Sequence, residues 1–319
     1  MKIVRYQIEH EVTWNALVAE SKNGTFLFDR RFMDYHSHRF TDCSLLFVKD
    51  GKVRGALPAN FVENERTVYS HQGLTYGGLI LPRDATAVEV MEMMDQACEF
   101  YRHELGAERM VYKPVPSFYH TYPAEEPLYA LFRHGARLVA RGLSSAIPLD
   151  HSLPFVRLRR RGVQKAEDWG VELIESSDRS ETEAFWKIVR SGLVRRHHVE
   201  PVHSVEEMVL LSERFPTKIQ RMFVRHEGEI VGGAWLFLCG PVIHVQYMAA
   251  TDEAREHGVN DWLTAMLLDH YRKDASSKAY YEFGISTEQD GHILNEGLIF
   301  QKEGFGGRGV CYDIYEITL

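Results

Sequence analysis

The pattern of hydrophobic and polar positions repeats along this chain at a spacing of about 177 residues. Residues 47–56 and 223–234 each contain an apolar run, a polar turn that ends in glycine, and a second run that opens on small residues. Alternating apolar residues on both sides of Asp50-Gly51 or Glu227-Gly228 are typical of a β-hairpin. The sequence therefore predicts two similar hairpins, one in each half.

The spacing of the repeat indicates a duplicated domain. A solenoid repeats every 20–50 residues or so, whereas this period is about half the chain. We expect the hairpins to be equivalent, with Gly51 matching Gly228 and Gly55 matching Gly232. The second copy is predicted to carry one inserted residue at its turn.

Each half continues with strand-like sequence, an amphipathic helix and a closing strand. Apolar residues at helical spacing predict helices over 85–105 and 259–271. Ser204 followed by Glu207 predicts a capping box at a helix start. We therefore predict a mixed α/β fold with two tandem domains, each a mixed, mostly antiparallel sheet with flanking helices, over residues 1–150 and 151–319.

Composition narrows the class of protein. The chain has 319 residues, 45% hydrophobic and 26% charged, as in an ordinary soluble globular protein. Its net charge of −8 argues mildly against a general nucleic-acid binder. We find no signal-peptide pattern and no apolar run long enough for membrane insertion, which predicts a cytoplasmic protein. The run 195–198 with His203 lacks regular ligand spacing, so no metal is predicted.

The turn 255–260 lies just before the predicted helix 259–271. A helix that opens on such a glycine turn presents backbone N–H groups and the positive end of its dipole, which suits a pyrophosphate. The turn resembles the acyl-CoA loop of the Gcn5-related N-acetyltransferases, Gln/Arg-x-x-Gly-x-Gly/Ala. Arg255 and Gly258 fit that pattern, whereas Asn260 replaces its last small residue. The resemblance implies acetyl-CoA as co-substrate, held by Arg255, Gly258, Val259 and Asn260; an ordinary helix start is the alternative.

The C-terminal tail carries a second resemblance. Glu282-Phe283-Gly284 and Gln301-Lys302-Glu303-Gly304-Phe305-Gly306 are similar to the C-terminal signature of the Fem-type aminoacyl transferases. Together with the duplication and Tyr76-Gly77-Gly78-Leu79, this resemblance covers most of the chain. It implies two acetyltransferase-like domains and transfer of an acyl or aminoacyl group to an amine. It also implies that Lys302 stabilises the oxyanion, and we expect this lysine in a flexible loop at the edge of a cleft.

Other polar residues are candidates for the remaining roles. Glu288, beside Ser286 and Thr287, is our predicted base, and Tyr247 is the predicted acid toward the departing thiolate. For His71, Tyr76, His244 and Tyr247 taken singly, a polar group satisfied within a sheet is the alternative. For the cluster 34–39, which includes Asp34 and His36, the alternative is an exposed polar helix end. The arginine-rich run 157–161 indicates a solvated charged surface or a phosphate contact. The predicted substrate-binding residues are Asp34, His36, His71, Tyr76, His244 and Arg308.

These features favour one function and leave two others open. We predict an N-acyltransferase that moves an acyl group from acetyl-CoA to an amine. By resemblance, the acceptor is a small molecule or sugar nucleotide of the cell envelope. The enzymatic alternative is Fem-type aminoacyl transfer from charged tRNA to a peptidoglycan precursor. The other alternative is a non-catalytic module that binds a nucleotide or glycan.

Overall fold

The chain forms two compact units in the computed structural model, which describes residues 1–197, 199–273 and 278–319. The first unit contains residues 1–143, 287–294 and 310–319, and the second contains 144–286 and 295–309. The predicted boundary after residue 150 lies close to the first crossing, after residue 143. The return of two C-terminal segments to the first unit was not predicted, because the repeated hairpin sequences do not indicate which strands the C-terminal residues pair with.

Both units contain helices and strands. The helices in the described residues are α1 (Glu11–Glu20), α2 (Arg30–Met33), α3 (Ala87–Leu105), α4 (Glu126–Arg133), α5 (Arg157–Trp169), α6 (Arg179–His197), α7 (Val205–Arg214), α8 (Asp252–Glu256), α9 (Val259–Lys273) and α10 (Glu296–Gly304). The strands are β1 (Lys2–Arg5), β2 (Thr41–Asp42), β3 (Leu45–Lys49), β4 (Lys52–Leu57), β5 (Asn60–Val62), β6 (Thr67–Tyr69), β7 (Arg109–Tyr112), β8 (Arg137–Pro148), β9 (Glu172–Glu175), β10 (Ile219–His226), β11 (Glu229–Cys239), β12 (Val242–Ala250), β13 (Tyr280–Ile285), β14 (Thr287–Glu288), β15 (Ile293–Leu294) and β16 (Arg308–Thr318). No helix of these ranges is long and apolar enough to cross a membrane.

The two hairpins, β3–β4 and β10–β11, turn in the same way. Each has a two-residue turn, Asp50-Gly51 or Glu227-Gly228, in which both residues have positive φ. Such turns match the right-handed twist of the flanking strands. The predicted equivalence of Gly51 and Gly228 is confirmed at the level of turn position.

The ladders behind the two turns also agree. In each hairpin the register shifts once, and the next pair is Phe47 with Gly55 or Val224 with Gly232. Gly55 and Gly232 are therefore equivalent, as predicted. The predicted insertion at the second turn is wrong, because Phe47 corresponds to Val224 and not to Phe223. Similar apolar residues on both sides of that position concealed the one-residue offset in the sequence.

Each unit then adds a parallel strand pair joined by a helix, β6–α3–β7 in the first unit and β12–α9–β13 in the second. In the first unit, β1, β3 and β4 form one sheet, and β2, β5, β6, β7 and β16 follow in order in another. In the second unit, the order is the end of β8, then β13, β12, β11, β10 and β9. Within each unit, the strand pairs β10–β11, β10–β9, β11–β12, β13–β8, β16–β7, β2–β5 and β5–β6 are antiparallel, and the predicted mixed α/β fold class is confirmed.

The crossover helices bury one face each. In the first unit α3 contributes Val90, Met94 and Tyr101 to the core, and in the second α9 contributes Leu263 and Leu267. These positions recur at the three- and four-residue spacing of an amphipathic helix. The capping box of α7 is present as predicted, since Ser204 and Glu207 exchange side chain-to-backbone hydrogen bonds.

Two helices lie in segments for which we predict none. The arginine-rich run 157–161 begins α5, and α10 covers the segment around Lys302, where we expect a flexible loop. The start of α10 is stabilised by Asn295, whose side chain accepts a hydrogen bond from Leu298 N at 3.0 Å. Asparagine is a favourable N-cap, but the glycines that follow in the sequence concealed this signal.

Helix α5 packs tightly against the start of α9. Gly258 has a φ of +79°, and a Cβ built there would lie 2.2 Å from Gly162 O. A backbone oxygen cannot rotate away as a side chain does, so this contact requires glycine. Gly228, in the same unit, has a φ of +88° with no atom within 4 Å of its virtual Cβ.

This difference predicts unequal costs for two matched substitutions. Gly228→Ala should cost about 1 kcal/mol from left-handed strain alone. Gly258→Ala should add an overpacking cost of about 1–3 kcal/mol and lower the thermal unfolding midpoint further. Calorimetry of both variants checks this. Equal midpoints would mean that α5 does not press on Gly258.

Candidate functional site

A network of polar side chains surrounds Glu282 in the second unit. The parallel ladder of β12 and β13 ends at the pair His244–Glu282, and the Glu282 side chain is fully buried. Its carboxylate accepts hydrogen bonds from His244 Nδ1, from Ser144 Oγ and, at 2.7 Å, from Gly284 N. A buried carboxylate needs such partners, because burial without them is costly.

The network keeps Glu282 ionised. Burial raises the pKa of Glu282, but the charge and hydrogen bond of His244, with the bonds from Ser144 and Gly284, outweigh it and hold the pKa below its usual value. Glu282 is therefore a carboxylate that accepts hydrogen bonds and donates none. The sequence marks Glu282 only as part of a motif, and an isolated serine such as Ser144 carries no signal in the sequence.

Lys302 lies on the other side of the same turn. Its Nζ donates to Gly284 O at 2.7 Å, to Ile285 O at 3.1 Å and to Ser286 Oγ at 2.7 Å. Burial lowers the pKa of Lys302 to about 8, although the charge of Glu282 opposes the shift. The expectation of a flexible loop is wrong, because Lys302 lies in α10 with 6% of its surface exposed.

The conformation of Gly284 explains the Glu-Phe-Gly motif. Gly284 has a φ of +79°, which glycine adopts at little cost. Its N–H binds the Glu282 carboxylate while its C=O accepts from the Lys302 ammonium. Glu282 and Lys302 thus bind the N–H and the C=O of the same left-handed glycine. The Glu-Phe-Gly motif and Lys302 are therefore parts of one hydrogen-bonded turn.

Tyr247 lies on the same sheet face as His244, on the other side of a bulge. His244 is opposite Phe237 and Tyr247 is opposite Trp235, so Gln246 is the extra residue of β12. Phe237 and Trp235 are two positions apart on β11 and share a face, as do their partners. Bulges commonly re-aim side chains beside active sites.

The hydroxyl of Tyr247 lies 2.8 Å from His203 Nδ1. Burial raises the pKa of Tyr247 to about 12, so the phenol keeps its proton near neutral pH. This is the protonation state that the predicted acid needs.

The predicted pyrophosphate turn lies between α8 and α9. Arg255 forms an ion pair with Asp252, Val259 is buried, and Asn260 O accepts from Thr264 Oγ1 at 2.8 Å. Gly258 has positive φ and is covered by α5, as described above. The turn is thus a well-packed helix start, and its role in binding coenzyme A stays a prediction.

The structure brings the arginine-rich run to this turn. Arg159 Nη1 lies 2.7 Å from Asp261 Oδ1, and only 14% of the Arg159 side chain is exposed. Lys165 Nζ donates to Glu256 O at 3.3 Å. Arg159 is therefore not solvated, and the two segments considered for phosphate contact are neighbours in space.

The predicted substrate residues of the first unit form contacts within it; Asp34 is half-buried, whereas His36, His71 and Tyr76 are buried. Asp34 Oδ1 lies 2.7 Å from Arg30 Nη2, and burial raises the pKa of Asp34. Tyr76 Oη donates to Thr25 Oγ1 at 3.1 Å, and His36 Nε2 lies 3.2 Å from Gly73 O. These contacts match the alternative of satisfied internal polar groups, and substrate binding by these residues stays a prediction.

His71 is the most constrained of the predicted histidines. It is 3% exposed, has a φ of +76°, and stacks on His36 with ring centroids 5.8 Å apart. Burial lowers its pKa from 6.5 to about 3, with further lowering by His36, Lys113 and Arg30. His71 therefore remains neutral in the folded protein at ordinary pH.

Two further predicted positions, Glu288 and Arg308, are exposed. Glu288 lies in β14 and belongs to the first unit, whereas Arg308 donates to Gly307 O at 2.6 Å. Neither role is tested by these contacts. His198 of the run 195–198 lies outside the described residues. Within the described ranges no three His, Cys, Asp or Glu residues are grouped as metal ligands.

The first unit contains a cavity of about 240 Å³ that we did not predict. Apolar residues of the 114–128 segment form much of its wall, and its polar lining includes Asn23, Tyr112, His120, Glu125 and Asp313. Of the four predicted substrate residues in this unit, none lines it, although Gly77 next to Tyr76 does. No lysine or arginine is among the lining residues, so the cavity suits a neutral or cationic group better than a phosphate.

Comparison with known proteins defines the class of this fold. Residues 155–290 match the family model of the acetyltransferase (GNAT) domain. This range includes the bulged strand, the turn 255–260 and the Glu282 network except Ser144 and Lys302. No curated protein matches the sequence.

Solved structures resemble the chain over nearly its whole length. FemX is 14% identical with a TM-score of 0.72, covering 100% of this chain and 98% of that one. The C-terminal domain of a putative lysylphosphatidylglycerol synthetase from Agrobacterium fabrum is 13% identical, with a TM-score of 0.63 and coverage of 97% and 91%. A tandem GNAT protein from the clavulanic acid biosynthesis pathway is 13% identical, with a TM-score of 0.54 and coverage of 99% and 98%. The chain therefore has a Fem/GNAT-type acyltransferase fold, as the sequence resemblance implied.

The buried state of His71 predicts a pH dependence of stability. The pKa of His71 is lower in the folded protein than in the unfolded chain. Its contribution to the free energy of unfolding is therefore fully present above pH 6.5 and is lost as the pH falls toward 3. The slope from this group approaches about 1.4 kcal/mol per pH unit. In His71→Asn, which tolerates positive φ, the thermal midpoint should fall less steeply over this range.

His103→Asn is the matched control, since His103 is exposed in the same unit. The difference in thermal midpoint between wild type and His71→Asn should change with pH. The difference in thermal midpoint between wild type and His103→Asn should stay constant. A constant difference for His71→Asn would contradict the buried neutral state.

Proposed function

We propose that this protein is an N-acyltransferase that moves an acyl group, in the simplest case acetyl, from acyl-CoA to an amine. One observation supports the proposal most: the residues that match the acetyltransferase domain contain the ionised Glu282 network and the bulged strand. Acyl transfer to an amine requires groups that move protons and groups that stabilise an oxyanion. The proposed acceptor is an amino sugar or sugar nucleotide of the cell envelope, which follows from the family resemblance.

The chemistry divides among residues of the second unit. The amine nitrogen attacks the thioester carbonyl carbon, and the tetrahedral intermediate then expels the thiolate. Tyr247 keeps its proton near neutral pH and supplies it to that thiolate. Lys302 stabilises the oxyanion by exchanging its longest hydrogen bond, the 3.1 Å bond to Ile285 O, for the developing charge.

The donor is proposed to bind at the start of α9. Arg255 and the first N–H groups of α9 attract the pyrophosphate, and Arg159 adds positive charge nearby. Two carboxylates lie beside this turn, Asp252 paired with Arg255 and Asp261 paired with Arg159, and both oppose a second anion. A side chain at Gly258 would disturb α5, so Arg255→Ala tests donor binding more cleanly than a change at Gly258.

Aminoacyl transfer from charged tRNA remains the second candidate, because the likeness to FemX extends over the whole chain. The experiment offers the purified protein acetyl-CoA, longer acyl-CoAs and charged tRNA, each with amino sugars, amino-sugar nucleotides and lysine peptides. Thiol release and product mass are measured. Transfer only from tRNA would replace the first candidate, and binding without transfer from any donor would favour the non-catalytic module.

Lys302→Ala should lower kcat by roughly a hundredfold with little change in KM, because an oxyanion donor acts mainly in the transition state. The thermal midpoint should also fall, since Gly284 O, Ile285 O and Ser286 Oγ lose their donor. Steady-state kinetics and melting curves measure both effects.

Lys278→Ala is the control, because this lysine also donates to a backbone carbonyl of the second unit, Gly240 O at 2.6 Å. It should leave kcat unchanged. If Lys302→Ala lowers the melting temperature but works at nearly the wild-type rate, Lys302 supports the turn and has no part in the chemistry.

A further inference from the structure

The two copies of the fold differ at one corresponding pair. In the first unit the parallel ladder ends at Tyr69–Val111, and in the second it ends at His244–Glu282. Each ladder has three pairs, so these are the same position in the repeat. Only the second copy carries an acid and a base there.

The hydrogen bond to Glu282 sets the tautomer of His244. An ionised carboxylate only accepts hydrogen bonds, so Nδ1 of His244 carries the proton that it donates. Once Nε2 has lost its proton, it presents a lone pair that can accept one. The His244 side chain is 12% exposed while that of Glu282 is fully buried, so solvent reaches the imidazole and not the carboxylate.

The groups that face the His244–Glu282 pair support an ionised Glu282. Glu282 is flanked by Ser144 from β8, and Lys302 from α10 acts on it through its charge. Tyr281, the neighbour on β13, is held neutral because burial raises its pKa. A positive charge that develops on His244 during reaction is thus stabilised by the Glu282 carboxylate.

We infer that His244 is the general base of the proposed acyl transfer and that Glu282 is its positioning residue; this inference rests on the proposed function. His244 Nε2 takes the proton from the attacking nitrogen as the nitrogen–carbon bond forms. The carbon–sulfur bond then breaks, and Tyr247 protonates the thiolate. The imidazolium and the phenolate afterwards exchange the proton through solvent, which restores both groups.

The bulge gives this assignment a suitable geometry. His244 lies opposite Phe237 and Tyr247 lies opposite Trp235. Phe237 and Trp235 are two positions apart on β11, which corresponds to about 7 Å along the strand. A base and an acid on one face at that spacing can flank a single carbonyl carbon. In this assignment His244 replaces Glu288, which lies in the first unit.

The first test combines kinetics with chemical rescue. His244→Ala should lower kcat about 10²–10⁴-fold, and added imidazole should restore part of the rate. His270→Ala, an exposed histidine of α9, should do neither. Glu282→Gln should move the acidic limb of the pH–rate profile to lower pH, because the imidazole loses its carboxylate. Absence of imidazole rescue, or loss of the acidic limb in Glu288→Gln but not in His244→Ala, would overturn the inference.

The second test needs no transferase activity. Diethyl pyrocarbonate acylates neutral imidazole nitrogen, and mass spectrometry follows each histidine separately. His244 should react more slowly in Glu282→Gln than in wild type, with His270 unchanged. Equal rates at His244 would refute the positioning role. If wild type transferred no acyl group from any donor while His244 still reacted as expected, the proposed function would fail and the coupling of the pair would stand.

Discussion

The second unit depends on the burial of one negative charge. Glu282 has no exposed surface, and an uncompensated carboxylate there would be strongly destabilising. Three donors from three places in the chain, Ser144, His244 and Gly284, satisfy it. These bonds connect β8, β12 and the end of β13 at the point where the parallel ladder stops. The same requirement that stabilises the sheet therefore places an oriented histidine at its end.

The duplication explains why chemistry is expected in one unit only. Both copies share the hairpin, its turn and its bulge, because these features meet backbone demands that are the same in each. No such backbone requirement fixes the residue types at the end of the parallel ladder. Tyr69 and Val111 complete the first sheet as well as His244 and Glu282 complete the second. The two copies thus share the hairpin, whereas the last pair of the parallel ladder differs in its side chains.

The sequence was most informative where the structure is local. Helices α3 and α7 follow from apolar spacing and from a capping box, which depend on residues within a turn or two of one another. Lys302 could not be placed in this way, because its burial is decided by acceptors at Gly284, Ile285 and Ser286. Helix α10 was missed because glycines flank and interrupt it, although Asn295 offered a start signal. The resemblance identified the motif residues, but only their contacts show what Glu282 does.

The two charged residues of the motif constrain each other through Gly284. Its N–H is fixed by Glu282 and its C=O by Lys302, so removing either charge releases one end of the same peptide turn. A lysine whose pKa lies near 8 is also easier to deprotonate than an exposed one, which brings it within reach of the pH at which enzymes work. The turn, the proposed base and the proposed oxyanion donor are therefore not independent of one another. A change in the charge of Lys302 acts on His244 through the intervening Glu282 carboxylate, and kinetic effects at these three positions are expected to be non-additive.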